Sequence, residues 1–153
     1  MLTEDAIAPP LDIALACGET MQLSARGDGP LVVYFYPKDD TPGCTSEAKD
    51  FSELMPQFHN LGARVVGISR DTIAKHATFA AKHGLTIELG SDEAGLACEV
   101  FGTWIEKPLY GRNYMGVGRA TFLFDSNRRL VREWRKVKVK GHAAIILEAA
   151  QAL

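Results

Sequence analysis

The chain is poor in cysteine and has no long apolar run, and each shortage excludes a class of protein. Its 153 residues include three cysteines, an odd and widely spaced set that argues against a framework of structural disulfides. The longest apolar run, Leu31–Tyr36, is far shorter than the roughly 20 residues that span a bilayer. The first ten residues lack the basic start and apolar stretch of a secretory signal. We therefore expect a cytoplasmic protein with no membrane partner.

The chain also lacks a strong charge of either sign. Its formal net charge is −2 and its pI is near 6.1, which gives no general attraction to nucleic acid. One segment, Arg128–Lys140, carries seven basic residues against the single Glu133. We interpret this segment as the solvated side of a strand, because Trp134 is its only aromatic residue. The sequence therefore predicts no nucleic-acid partner.

Motifs that would bind a cofactor or a metal are missing as well. There is no C-x-x-C pair for dithiol exchange, and no G-x-G-x-x-G follows a strand. The four histidines form no recognisable ligand cluster; they are His59, His76, His83 and His142. His76 and His83 lie two turns apart on one predicted helix, which is typical of a solvated pair. We infer no metal and no organic cofactor.

What is present is an alternation of buried strands and amphipathic helices that fits one domain over residues 1–153. An N-terminal β-hairpin is predicted from Leu11–Ala16 and Thr20–Ala25. Two strands, 31–37 and 63–69, are apolar on both faces, as in a sheet covered on both sides. The sequence predicts an α/β fold with a mixed central sheet and helices on both faces.

The remaining elements follow from the same patterns. Helices are predicted after residue 44, over 72–83 with Gly84 as a left-handed cap, over 93–101 and over 142–152. A short strand is expected near 86–89, and a late hairpin from 119–125 and 129–138 adds antiparallel strands. The segment 102–116 is predicted to be a long loop.

The loop after the first buried strand contains Cys44. Asp40 or Thr41 can cap the helix that follows, and Pro42 suits its first turn because a proline has no N–H to leave unpaired there. Cys44 would then lie among free backbone N–H groups at the positive end of the helix dipole. Both features favour a thiolate, so we expect an exposed and reactive sulfur.

Ionisation alone does not make a sulfur a fast nucleophile. Lowering the pKa of a cysteine from about 8.5 to about 6 gains roughly 30-fold in thiolate at neutral pH, or about 2 kcal/mol. The rest must come from donors that orient the bond under attack and stabilise the departing atom. Thr41, three residues before the sulfur, offers a hydroxyl. Arg119, at the start of a predicted strand, is the candidate cation.

At these residues the chain resembles a known family. The pattern Pro37-x-x-x-Thr41-x-x-Cys44 resembles the active-site motif of peroxiredoxins, and YPKDDTPGCTSEAKDF resembles that of the bacterioferritin comigratory protein or peroxiredoxin Q subfamily. The similarity continues through VVGISRDTIAKHATFAAKHGL, LGSDEAGLACEVFGTW, EKPLYGRNYMGVGRATFLFD and WRKVKVKGH, and it covers roughly residues 31–142.

The resemblance implies a thioredoxin-like fold and the reduction of hydrogen peroxide and organic hydroperoxides by a thiol reductant such as thioredoxin. It implies that Cys44 is the peroxidatic cysteine, that Thr41 bonds the thiolate or the peroxide, and that Pro37 shields the pocket. Arg119 would be the family's active-site arginine, and Glu47 would orient its neighbours. The resemblance also implies a monomer.

The chain departs from the subfamily where the sulfenic acid must be reduced. The two usual positions of a resolving cysteine correspond to Lys49 and to a site near Ala80. Three alternatives remain: an external thiol, which we favour, then a disulfide with Cys98, and a disulfide with Cys17. A disulfide requires Cα atoms within about 7 Å, so Cys98 requires substantial movement if it lies across the domain, and Cys17, in a turn near the N-terminus, has no obvious route to Cys44.

Other functions fit the same fold, because fold does not fix function. The chain could be a redox sensor that uses oxidation of Cys44 to change its surface, or a binding module in which that cysteine is incidental. Steady consumption of peroxide with a thiol reductant separates the enzyme from both. The sequence favours the peroxidase.

Overall fold

The structure is a computed structural model, and it describes residues 2–3 and 5–153. Within them the strands are β1 (Asp12–Leu15), β2 (Thr20–Gln22), β3 (Leu31–Phe35), β4 (Arg64–Ser69), β5 (Glu88–Ser91), β6 (Trp104–Leu109), β7 (Arg112–Val117), β8 (Ala120–Phe124) and β9 (Leu130–Arg135). The helices are α1 (Pro42–Asn60), α2 (Ile73–His83), α3 (Leu96–Phe101) and α4 (His142–Gln151).

Seven of these strands form one mixed sheet in the order β2-β1-β5-β4-β3-β8-β9. β3, β4 and β5 run parallel to one another, whereas β8 and β9 add antiparallel strands at one side and the β1–β2 hairpin adds them at the other. The predicted α/β fold, the mixed sheet and the N-terminal hairpin are confirmed.

The side chains of β3 alternate between two cores. Leu31, Val33 and Phe35 pack on one face of the sheet, in a cluster that also contains residues of α3. Val32 and Tyr34 pack on the other face, in a cluster that contains residues of α1, α2 and α4. Because successive side chains of a strand point to opposite faces, the sheet separates the two cores, and helices cover both of them.

The segment predicted to be a long loop is a second, two-stranded sheet. β6 and β7 pair antiparallel from Trp104↔Val117 to Leu109↔Arg112, so the prediction of a loop over 102–116 was wrong. The turn residues Tyr110 and Gly111 both have positive φ, at 49° and 76°. Such a turn matches the twist of a hairpin, but Tyr-Gly is a weak signal for it compared with Asn-Gly.

Helix boundaries agree with the capping signals. α2 begins after Thr72, whose hydroxyl accepts a hydrogen bond from the Lys75 backbone N–H, and it ends at Gly84 with φ 61°. α3 is shorter than predicted, because Gly95 in the left-handed region precedes it and Asp92 accepts from the N–H groups of its first turn. Among the described residues, no helix is long and apolar enough to cross a membrane.

Candidate active site

Cys44 lies in the first turn of α1, directly beyond the carboxyl end of β3. Thr41 has extended backbone angles and occupies the N-cap position, and Pro42 is the first helical residue. Extended geometry is what the residue before a proline prefers, and the proline ring presets the first helical φ. The predicted placement of the sulfur at a strand-to-helix junction, near the free N–H groups of a helix start, is confirmed.

Arg119 contacts the sulfur. Its Nη2 lies 3.4 Å from Cys44 Sγ, and its Nη1 donates a hydrogen bond of 2.6 Å to Glu47 Oε1. Cys44 and Glu47 are three residues apart and therefore lie on the same side of α1. The structure thus brings together three residues that are separated in sequence by up to 75 positions.

Gly43 makes this approach sterically feasible. A Cβ atom at this position would lie 3.2 Å from Arg119 Nη2, closer than ordinary van der Waals contact. The glycine is helical and has an ordinary negative φ, so its value here is the space it leaves rather than conformational freedom. Gly43 is a site residue that the sequence reasoning missed.

Glu47 is almost fully buried, with 1% of its surface exposed. Burial raises the pKa of its carboxyl from 4.5 to about 7, and the charge and hydrogen bond of Arg119 oppose that rise. Among the described residues, Oε1 has Arg119 as its partner and Oε2 has none. The sequence reasoning found Glu47 but assigned it only an orienting role.

Tyr34 stands beneath this cluster on β3. Its hydroxyl is fully buried and finds no hydrogen-bond partner in the part of the chain that the structure describes. Burial raises the pKa of Tyr34 well above its usual range, and the charges of Glu47 and Cys44 add to the rise. An uncharged tyrosine therefore lies within electrostatic range of both acids of the site.

The structure corrects the expected exposure of the sulfur. Cys44 is 1% exposed and packs in the core cluster beside Ala48 and Phe51. The sulfur nevertheless meets a guanidinium, which an inert cysteine in apolar surroundings does not. The resting site is a buried sulfur with a cation at its side rather than an open thiolate.

Thr41 and Pro37 lie in the loop that leads to Cys44, and the Thr41 hydroxyl does not make the predicted contact with the sulfur. The Thr41 hydroxyl donates to the carbonyl oxygen of Lys38 at 3.0 Å, and it does not cap α1. Since its one hydrogen is used there, the hydroxyl is oriented to accept in this arrangement. Pro37 lies two residues after the end of β3 and is half-buried.

The loop that carries Thr41 is fixed to α2 by a buried polar network. His76 Nδ1 lies 2.7 Å from Asp39 Oδ2, His76 Nε2 lies 2.9 Å from the Gly90 carbonyl oxygen, and the Tyr36 hydroxyl donates to Asp39 Oδ1 at 2.6 Å. His76 is fully buried, so the interpretation of His76 and His83 as a solvated pair was wrong for His76.

The structure does not bring Cys98 to Cys44. Cys98 is fully buried in the core on the opposite face of the sheet, and burial raises the pKa of its thiol to about 12, with a hydrogen bond to Asp92 adding to the rise. Cys17 is exposed in the β1–β2 turn. It lines a cavity of about 270 Å³ together with Ala77 and Ala80 of α2.

Comparison with known proteins places the chain in a family. Residues 5–133 match the model of the AhpC/TSA family. The chain is 46% identical to the peroxiredoxin Bcp of Bacillus subtilis over 146 residues, which is 95% of this chain and 91% of that protein. It is 44% identical to the peroxiredoxin Bcp of Xanthomonas campestris over 142 residues, which is 93% of this chain and 89% of that one.

Solved structures agree with the sequence relatives. A cysteine-to-serine variant of Xanthomonas campestris peroxiredoxin Q superposes with a TM-score of 0.91 at 41% identity and covers 98% of this chain and 99% of its own. The bacterioferritin comigratory protein of the same organism, solved in a study of its alkyl peroxide reduction activity, gives 0.88 at 43% identity over 93% and 90%. The chain belongs to the AhpC/TSA family of peroxiredoxins, which are thiol-dependent peroxidases.

Proposed function

We propose that Cys44 is the peroxidatic cysteine of this peroxidase and that Arg119 is the cation that holds its thiolate and its substrate. The observation that carries the proposal is the 3.4 Å contact between Arg119 Nη2 and Cys44 Sγ at the start of α1. Two positive influences, the guanidinium and the helix dipole, converge on one sulfur. Thr41 and Pro37, in the loop that precedes Cys44, are proposed to orient and shield the peroxide.

The proposed reaction is a displacement at the peroxide. The thiolate attacks one peroxide oxygen, the O–O bond breaks, an S–OH bond forms, and the alkoxide or hydroxide leaves and takes up one proton. Arg119 stabilises the negative charge as it moves from sulfur to the leaving oxygen. Hydrogen peroxide and alkyl hydroperoxides are the proposed substrates; the relative from Xanthomonas campestris, with its alkyl peroxide reduction activity, supports the second.

For the return step we propose that an external thiol attacks the sulfenic acid. That attack forms a mixed disulfide and water. A second thiol then attacks the mixed disulfide, which releases Cys44 and joins the two reductant sulfurs in a disulfide. Lys49 and Ala80 occupy the two usual resolving positions, and the sheet lies between Cys98 and Cys44. Thioredoxin or a small thiol in the cytoplasm would be the reductant, acting on the chain as a monomer.

The second candidate for reducing the sulfenic acid is a disulfide between Cys17 and Cys44. Cys17 shares a cavity with Ala80, the subfamily position for a resolving cysteine on α2. In the folded chain, however, β1 is three strand steps from β3, about 14 Å at roughly 4.8 Å a step. A disulfide with Cys44 would therefore require α1 or the N-terminal hairpin to move.

The test of the peroxidase is peroxide consumption with a coupled thioredoxin system and, separately, with dithiothreitol. We expect turnover in the wild type and none in Cys44→Ser. Intact mass after one equivalent of peroxide then identifies the return route. A gain of one oxygen, converted to an adduct by added thiol, supports the external thiol; a loss of two hydrogens that disappears in Cys17→Ser would replace it with the second route. Oxidation of Cys44 without turnover under either thiol system would favour a sensor.

A further inference from the structure

Two acids share one cation in the active site, and the reaction changes the charge of one of them. Arg119 gives one nitrogen to Glu47 Oε1 and the other to Cys44 Sγ. Both acids are 1% exposed, so water does little to screen them. A thiolate and a carboxylate beside a single guanidinium would leave one buried negative charge uncompensated, which is costly.

We propose that Glu47 holds a proton while Cys44 is a thiolate and gives up that proton when Cys44 becomes a sulfenic acid. In the reactive state the guanidinium neutralises the thiolate and Glu47 is neutral. After oxidation the sulfur is neutral, and the guanidinium neutralises the Glu47 carboxylate. The net charge of the site stays constant through the step.

The proton balance of the reaction fits this exchange. Thiolate, hydroperoxide and protonated Glu47 yield sulfenic acid, alcohol or water, and the Glu47 carboxylate. The alkoxide that leaves takes up one proton, and Glu47 releases one. Glu47 is thus a positioning residue that acts through Arg119, and the inference rests on the proposed function of Cys44.

The groups around Glu47 favour this assignment. From α1 itself, Asp50 is a further negative charge that opposes ionisation of Glu47, and from β3 the Tyr34 hydroxyl is an uncharged neighbour. The only cation that contacts Glu47 in the described part of the chain is Arg119. The unpartnered Oε2 adds to the cost of a carboxylate at this position, because a buried charged oxygen without a hydrogen bond is unfavourable.

Two further titratable groups face Arg119 and leave the balance unchanged. Burial lowers the pKa of His142 to about 4, and the charge of Arg119 adds to the decrease, so this ring is neutral at working pH. Lys107 on β6 is half-buried; burial and the charge of Arg119 lower its pKa and Cys44 opposes that change. Neither group supplies a second negative charge that could replace Glu47.

Infrared difference spectroscopy of the full-length reduced protein, before and after one equivalent of hydrogen peroxide, tests the inference. At about one pH unit above the Glu47 pKa of about 7, where loss of the neighbouring thiolate leaves the carboxyl free to ionise, we expect the C=O band of a buried carboxylic acid to disappear and carboxylate bands to appear. The change should be absent in Glu47→Gln and retained in Glu53→Gln, an exposed glutamate on the same helix. Wild-type protein with ¹³C-labelled glutamate carboxyls gives the same readout if Glu47→Gln does not fold.

The outcomes are distinguishable when intact mass is measured on the same samples. Cys44 that gains oxygen while the carboxylic acid band persists, or a reduced thiolate protein that shows no such band, overturns the inference and leaves the peroxidase intact. Cys44 that gains no oxygen overturns the proposed function and this inference together. Loss of the band in step with oxidation supports both.

Discussion

Arg119 is a single guanidinium with two separate tasks, and lysine cannot perform both. Its two terminal nitrogens reach Glu47 and Cys44 at once, whereas an ammonium is a compact point charge. A residue that contacts the reacting sulfur has its largest effect on the transition state. Its removal should therefore slow attack on peroxide by more than the loss of thiolate explains.

We expect Arg119→Ala to lower the second-order rate constant of Cys44 oxidation by about 100- to 1,000-fold, as for the loss of an oxyanion donor. Arg119→Lys should recover only part of that loss. Stopped-flow oxidation rates, measured together with the thiolate absorbance across pH, check this prediction. A rate that falls only in proportion to the thiolate fraction contradicts it.

A substitution at Gly43 should slow the reaction without lowering the stability of the fold. Gly43→Ala should leave the protein as stable or up to about 1 kcal/mol more stable, because alanine favours a helix over glycine. The new methyl group would crowd Arg119 Nη2 at 3.2 Å and shift the guanidinium by a few tenths of an ångström. We expect peroxide oxidation to slow by about tenfold, since small misplacements of a donor are expensive in rate.

The matched control is Ser46→Ala, an exposed position two residues past Cys44 on the same helix. It should change neither the rate nor, appreciably, the melting temperature. Equal rates in Gly43→Ala and Ser46→Ala would show that the contact with Arg119 is unimportant.

The loop before Cys44 is held in place by α2 rather than by its own sequence. Asp39 lies five residues before the sulfur and is joined to His76, 37 residues later, by a buried contact of 2.7 Å. Asp39 N–H also donates to Asp71 at 2.9 Å, just before α2 begins. The position of the loop before Cys44 therefore depends on contacts with α2 and with the residues just before it.

His76→Ala should lower the free energy of unfolding by about 3 kcal/mol, because it removes the buried partner of Asp39 Oδ2 and opens a cavity. The comparison is His83→Ala on the same helix, which loses contacts with the exposed Asp40 and the edge of Phe79 and should lower the free energy of unfolding by only about 1 kcal/mol. Urea unfolding of the two variants and the wild type measures the difference. Equal midpoints for the two variants would refute a structural role for the network.

Elements with strong local signals could be predicted, and long-range contacts could not. The two-sided strands β3 and β4, the Pro42 start of α1 and the Gly84 end of α2 were all readable from a few adjacent residues. The β6–β7 hairpin was missed because its turn carries Tyr110, a bulky residue with positive φ. Neither hydrophobic periodicity nor a capping residue indicates such a turn.

In the candidate site, too, some residues could be predicted from the sequence and some contacts could not. Cys44 and Arg119 were found through a motif and a family resemblance, and their contact at 3.4 Å agrees with it. The burial of Cys44, the space at Gly43 and the pairing of His76 with Asp39 depend on packing between distant segments. A single sequence carries no local mark of such packing.

The stability of the entire fold should depend on pH through Glu47. Its pKa is raised from 4.5 to about 7 in the folded chain, so between these values the folded state binds more protons than the unfolded state. Stability therefore falls as pH rises through this window, by up to about 3 kcal/mol at 1.36 kcal/mol per pKa unit. The contribution of Glu47 to stability is therefore largest below this pH window.

We expect Glu47→Gln to gain stability relative to its parent as the pH is raised from about 5 to about 8, with both in a Cys44→Ser background that removes the titrating thiol. Urea unfolding at the two pH values measures the gain. Glu53→Gln, at an exposed position of the same helix, is the control and should show none. Parallel pH dependence in Glu47→Gln and its parent would mean that Glu47 ionises normally.

Arg119 occupies a two-residue link, Gly118–Arg119, between β7 and β8. The Gly118 N–H donates to the Thr103 carbonyl oxygen at 2.7 Å, which ties the link to the base of β6. Arg119 therefore lies at the base of the β6–β7 hairpin. Two large apolar side chains of the hairpin, Trp104 and Met115, are exposed. Because Arg119 follows β7 with one residue between them, a displacement of this hairpin would also change the distance between the guanidinium and Cys44 Sγ.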